Sequence, residues 1–224
     1  LYASFLGGVI PDPVSHLLTA SVLSAPAAVA VARVMVPAER EAVSEKSAIP
    51  IASMYESSMD AVVTGTFDGL RLLLNIVAML IVLVALVHLA NAILGLLPDV
   101  AGAPVTLQGI FGLVLSPLAW LTGIPWHEAR IAGMLLGEKI VLNELIAYLS
   151  MARLPPDALG AESKIIMTYA LCGFANFASL GIMIGGLGAM APDRRGEIVV
   201  LGPRSIAAGV LATCMTGAVV GIIV

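Results

Sequence analysis

Apolar residues fall in long, nearly uninterrupted blocks along this chain, separated by short stretches rich in proline, glycine and charge. Blocks of this length match the roughly 20 apolar residues that a helix needs to cross the hydrocarbon core of a bilayer. Residues 1–10 read as the end of one span, closed by the turn Pro11-Asp12-Pro13. Residues 16–35 are long enough to cross, and their alanine and serine content suits close helix packing. The charges Glu39, Arg40, Glu41, Glu45 and Lys46 put the next stretch in water or among headgroups. A helix is predicted from about 54 to 97, apolar from 70 onward and amphipathic before, with Asp60, Asp68 and Arg71. It exceeds one crossing, so it tilts strongly or extends beyond the membrane.

The second half is more broken. Pro98-Asp99 and Gly102 mark a turn, and residues 106–121 form an apolar segment containing Pro117 and ended by Gly123-Ile124-Pro125. That segment is short for a span and reads as an interfacial or re-entrant helix, with Trp120 and Trp126 at interfacial depth. Residues 126–152 carry Glu128, Arg130, Glu138, Lys139, Asn143 and Glu144, too many polar groups for a lipid-facing helix. A re-entrant hairpin whose halves meet near 137–141 would shield them within protein. After Pro155-Pro156, residues 163–190 form the next span, 192–196 its end, and 205–224 the last span. Arg33, Arg40 and Lys46 then share a side with Arg194, Arg195 and Arg204, which the bias of basic loops makes cytoplasmic; Arg153 and Lys164 fall opposite.

Composition agrees with the pattern: 59% of the 224 residues are hydrophobic and 12% charged, against about a quarter charged in soluble domains. The expected fold class is an all-α integral membrane protein with several spans. Eleven basic and 15 acidic residues are spread thinly, without the basic stripe that nucleic-acid binding requires. Cys172 and Cys214 sit in apolar segments and supply neither a disulfide framework nor a four-ligand zinc site. His16, His88 and His127 have no metal-ligand spacing, and His88 reads as a packed or hydrogen-bonded neutral histidine, so no metal site and no cofactor is expected. The chain opens Leu-Tyr-Ala-Ser-Phe without an initiator Met or a signal peptide, and is expected to be a C-terminal fragment.

The chemistry is concentrated in two polar islands, Asn143-Glu144 and Asn176 with Ser179. Glycines 173, 181, 185, 186 and 188 surround the second island and favour a local unwinding, since each costs a helix about 1 kcal/mol relative to alanine. Unwound backbone at mid-membrane needs partners, which a polar ligand or cation supplies. Asn offers donor and acceptor, Ser a hydroxyl, and Glu144 a carboxylate, together suiting a vicinal diol such as a ribose. Two structural alternatives stand beside this. Gly181 and Gly185 could form a packing seam, with Ser179 bonded back to its own helix; Glu144 could pair with Lys139 or Lys164. Rival functions are an intramembrane enzyme using Glu144, His127 and Glu128, which lacks a nucleophile and base at helical spacing, and a channel or scaffold subunit, which lacks polar positions repeated along one helix.

The strings SVLSAPAAVAVARVMVPAE, GEKIVLNELIAYL and CGFANFASLGIMIGGLGAMAPDRRGEIV resemble, in order, the C-terminal half of the concentrative nucleoside transporter family. The resemblance implies a multi-pass symporter of the plasma membrane, or of the inner membrane in a bacterium. It would couple nucleoside uptake to a sodium or proton gradient and assemble as a homotrimer. It also implies two re-entrant hairpins and two interrupted helices related by an inverted repeat, of which this chain carries half. By motif, Glu144 in the hairpin and Asn176 and Ser179 in the interrupted helix match positions that hold ribose hydroxyls. Phe174 matches a pocket aromatic, Asn143 is the glutamate's hairpin neighbour, and residues 54–97 match the scaffold helix at the trimer interface. The resemblance further implies a first hairpin, with nucleobase contacts and most coupling-cation ligands, that is not among these 224 residues.

Overall fold

A computed structural model describes residues 2–37, 56–100, 102, 104–190 and 192–224. The charged run from Glu39 to Lys46 and the expected helix start near 54 lie outside the described residues. The described residues are helical almost throughout: α1 Tyr2–Leu6, α2 Pro13–Met35, α3 Ser58–Leu94, α4 Leu107–Leu121, α5 Trp126–Val141, α6 Glu144–Ala152, α7 Ala161–Leu171, α8 Phe177–Met190 and α9 Arg195–Ile223, with a 3-10 turn at Pro192–Arg194 before α9. Among them α2 and α9 are each long and apolar enough to cross a membrane, and α4 with α5 forms a bent pair that could serve as one broken span or as a re-entrant loop.

Local chemistry sets the ends. Ser57 caps α3 by accepting from Asp60 N at 3.1 Å, and Thr106 caps α4 by accepting from Gly109 N at 3.1 Å, each satisfying an orphan amide of a first turn. Pro13 opens α2, where its missing N–H costs nothing. Helix α3 runs 37 residues, about 55 Å at 1.5 Å per residue, against a hydrocarbon core of about 30 Å. Its apolar side chains, Phe67, Leu74, Ile81 and Leu89 among them, are exposed, and so is His88, where the sequence suggests a packed or hydrogen-bonded histidine. Polar ties hold α3 to the rest at its end: Asn91 Oδ1 accepts from Leu107 N at 2.8 Å and Asn91 Nδ2 donates to Gln108 Oε1 at 3.0 Å.

The core lies between α1, α4 to α7 and α9, around Leu6, Leu135, Leu136, Tyr148, Met167 and Leu171. α4 turns back on α5 with a bend of 116° at Thr122 to Pro125, where Gly123 takes φ +99, a conformation that suits glycine. The two helices touch backbone to backbone. A Cβ on Gly133 would lie 2.8 Å from Gly112 O and 2.9 Å from Ser116 N, and one on Gly137 would collide with the Phe111 ring. Trp120 and Trp126, both exposed, meet edge to face at 6.3 Å beside this turn.

A glycine-lined face of α9 receives the interrupted span. Gly217 lies against Ile166 and Ala170 of α7, Gly209 against Ala175 in the break, and Gly202 against Leu180 of α8. The packing seam therefore belongs to α9. Gly181 on α8 has open space around its Cβ direction, and Gly185 lies outside the residues described at side-chain level.

Candidate functional site

Both polar islands are helix N-termini. α5 ends at Val141, Leu142 leaves helical geometry, and Asn143 starts α6 by accepting from Ile146 N at 3.0 Å. The break thus falls at 142–143 and not at 137–141. Gly137 stays helical because its missing side chain makes room for Phe111, so it serves packing. α7 ends at Leu171, and α8 begins at Phe177. There Asn176 Oδ1 accepts from Ser179 N at 2.7 Å, and Asn176 N donates back to Ser179 Oγ at 3.3 Å. This reciprocal pair at i, i+3 has the form of a capping box. The Ser179 hydroxyl also faces Asn176 O, at 2.8 Å, and Phe174 O. Of the five glycines expected to unwind this span, only Gly173 lies in the break; 181, 185, 186 and 188 remain in α8.

These two N-termini meet. Asn176 Nδ2 donates to Glu144 Oε2 at 3.2 Å, while Glu144 Oε1 accepts from Tyr2 Oη at 2.8 Å. Glu144 is 4% exposed and Asn176 2%, so the pair lies inside the protein. The positive ends of α6 and α8 converge on the carboxylate, which offsets part of its burial cost. Tyr2 is held in turn by Tyr148, ring centroids 5.2 Å apart, and Tyr148 is buried and donates to Thr168 O at 2.7 Å. Phe174, at the rim of the break, is 74% exposed. The structure therefore brings Glu144, Asn176 and Ser179 together through hydrogen bonds, spends the Asn143 side chain on capping α6, and leaves Phe174 facing outward beside them.

The alternative ionic partners of Glu144 are engaged elsewhere. Lys164 Nζ donates to Pro156 O at 2.8 Å. Lys139 is fully buried and donates to Ala170 O at 2.9 Å and Thr213 Oγ1 at 2.7 Å, and among the described residues it forms no ion pair. An ammonium buried without a carboxylate in contact costs several kcal/mol, offset here by charge-assisted hydrogen bonds of about 1.5–3 kcal/mol each and by the nearby charge of Glu144. Glu128, offered with His127 for acid-base chemistry, accepts from Gly160 N at 3.1 Å and so ties the start of α7, while His127 is exposed at 3.4 Å from it. Neither bonds to Glu144. No group of three His, Cys, Asp or Glu able to hold a metal ion occurs among the described residues.

Sequence reasoning missed Tyr2 as a partner of Glu144, and no local signal marks it, since the two lie 142 positions apart. It also treated Lys139 as a possible ion-pair partner. Its actual partners, Ala170 O and Thr213 Oγ1, lie on other helices and carry no local signal.

Against known proteins, residues 16–221 match the profile of the family described as Na+ dependent nucleoside transporter C-terminus. The chain belongs to that family. It is 39% identical over 218 residues to the protein named uncharacterized transporter YutK of Bacillus subtilis, covering 95% of this chain and 53% of that protein. It is 35% identical over 217 residues to the nucleoside permease NupC of Helicobacter pylori, covering 95% and 51%. The solved structure of CNTnw in an inward-facing substrate-bound state superimposes with a TM-score of 0.82 at 35% identity, covering 99% of this chain and 52% of that one. The chain thus spans about half the length of the curated relatives it matches. Family membership and the apolar helices together make it a multi-pass helical membrane protein, as its sequence pattern suggested.

Proposed function

We propose that the complete polypeptide carrying this chain is an ion-coupled symporter of nucleosides in the plasma membrane, or the inner membrane if bacterial. In this reading Glu144, Asn176 and Ser179 bind the ribose hydroxyls, Phe174 lines the pocket, and Asn143 fixes the hairpin end that presents Glu144. The observation that carries it is the buried meeting of two half-helix N-termini at the Glu144–Asn176 pair. A carboxylate that accepts and an amide that donates match a diol, whose hydroxyls can do both. Tyr2 keeps the carboxylate oriented between turnovers.

The coupling cation is Na+ or H+, the family profile favouring Na+. Its binding would order the site so that nucleoside binds more tightly, and by linkage nucleoside would tighten ion binding by the same factor. Alternating access would come from movement of the hairpin and broken-span unit against α3, with α3 serving as the scaffold between copies in a homotrimer. Transport rather than catalysis is supported by the site's composition, since Glu144 bonds to a tyrosine and an asparagine and not to a nucleophile and base.

The test is saturable nucleoside uptake by the complete polypeptide in proteoliposomes under an imposed ion gradient. Glu144→Gln and Asn176→Ala should each lower uptake at subsaturating nucleoside by about 100-fold, the weight of hydrogen bonds to a charged group, with the folded assembly retained. Undiminished uptake in both variants would reduce the pair to a packing role.

A further inference from the structure

Lys139 is the one charged side chain with no solvent exposure among the described residues, and it does not contact the Glu144–Asn176 pair through any hydrogen bond found there. Its surroundings resemble an ion site. Ala170 stands one residue before the end of α7, and the break removes the amide four residues on that a continuing helix would offer to its carbonyl. Lys139 Nζ donates to that carbonyl at 2.9 Å and to Thr213 Oγ1 of α9 at 2.7 Å, while the Thr213 hydroxyl gives its own proton to Val210 O at 3.0 Å. Cation, oriented oxygen ligands and the negative end of a half-helix are thus assembled in one place. In carriers built on interrupted helices, such half-helix C-termini coordinate the coupling ion.

We propose that Lys139 is a tethered cation: its ammonium fills the position that a dissolved ion would take at the α7 break, and thereby fixes the segment that presents Asn176. Resting on the nucleoside-transport reading, this makes Lys139 a positioning residue for the substrate site. The mechanical link is short. Gly173 packs on Thr213, a Cβ there lying 2.7 Å from Thr213 Cγ2, and Ala175 packs on Gly209 of the same helix. Thr213 is therefore both a ligand of the ammonium and the seat of the break, with Asn176 three residues beyond Gly173. A second consequence is that this break needs no ion from solution, so the coupling cation binds elsewhere in the complete protein.

The test measures equilibrium binding of radiolabelled uridine and adenosine to the purified complete polypeptide, with assembly checked by size-exclusion chromatography. Lys139→Met keeps most of the unbranched apolar stem and loses the charge, and should weaken binding at least tenfold. Lys139→Ala should weaken it similarly and be restored threefold or more by millimolar ethylammonium, but not by 1-propanol, a neutral molecule of similar size. Should either variant fail to assemble, Thr213→Val, which removes one ligand of the ammonium, should still weaken binding threefold or more. Wild-type affinity in Lys139→Met or in Thr213→Val would overturn the proposal. So would rescue of Lys139→Ala by propanol as well as by ethylammonium, or by neither, because a purely structural void does not distinguish a charged filler. Absence of nucleoside binding in the wild-type protein would instead overturn the transport reading itself, and the inference with it.

Discussion

Helix α3 and the α5 to α8 region both carry apolar stretches and use them in opposite ways. In α3, Phe67, Leu70, Leu74, Ile81, Leu86, Leu89 and Ile93 are exposed, and the helix runs 37 residues without interruption. In α5 to α7, Leu135, Leu136, Ala147, Met167 and Leu171 are buried, and the chain from α5 to α8 breaks twice at asparagines that cap the following half-helix. A helix apolar on all sides finds its solvent outside its own chain, in lipid or in neighbouring copies. A broken helix cannot do so, because its freed backbone groups must be satisfied within protein. The difference assigns the two regions different work: α3 provides a surface, and the breaks provide polar groups inside.

The sharpest way to break this contrast is through glycine. Gly133→Ala and Gly137→Ala put a methyl group into the α4–α5 contact, against backbone in one case and the Phe111 ring in the other. Each should destabilise the protein by about 1–3 kcal/mol, read as a fall in thermal unfolding temperature of the detergent-purified protein. An unchanged midpoint would show that α4 and α5 are not packed this closely. Asn176→Ala removes a cap worth about 1–2 kcal/mol together with one donor to Glu144. It should therefore loosen the start of α8, seen as faster amide exchange at 177–180 than in wild type. Tyr2→Phe deletes only the hydrogen bond to Glu144 Oε1, worth about 1 kcal/mol. Nucleoside affinity should drop roughly fivefold, and wild-type affinity would separate Tyr2 from the site. The smallest effect has the opposite sign. A Cβ at Gly65 or Gly69 in α3 meets nothing within 4 Å, so Gly65→Ala and Gly69→Ala should be neutral or stabilise by up to about 1 kcal/mol. Destabilisation there would mean that α3 packs closely against something outside this chain.

Much of the helical plan was legible because apolar runs of span length have few alternatives in water or lipid. The candidate site was legible in part because Asn143-Glu144 and Asn176-Ser179 are polar groups in apolar sequence, and the structure joins Glu144 to Asn176. The positions of the breaks were less so. The hairpin halves were expected to meet near 137–141 and the surrounding glycines to unwind the span about Asn176 and Ser179, whereas capping by Asn143 and Asn176 sets the breaks at 142–143 and 172–176, and Gly137 proved to be a packing contact with Phe111. Weak local preferences of about 1 kcal/mol yield to a satisfied cap together with tertiary fit. Tyr2 and Lys139 were out of reach for another reason. Their partners, Glu144, Ala170 and Thr213, lie far along the chain, and only the assembled helices bring them together.

The most direct measurement compares the affinity of a ribonucleoside with that of its 2′,3′-dideoxy analogue, in wild type and in Glu144→Gln of the complete polypeptide. If the Glu144–Asn176 pair holds the diol, wild type should favour the ribonucleoside by about 100-fold, because losing the hydroxyls leaves buried polar groups unpaired, and the preference should largely collapse in Glu144→Gln. An equal preference in both proteins, or none in wild type, would contradict the assignment of this pair to the ribose.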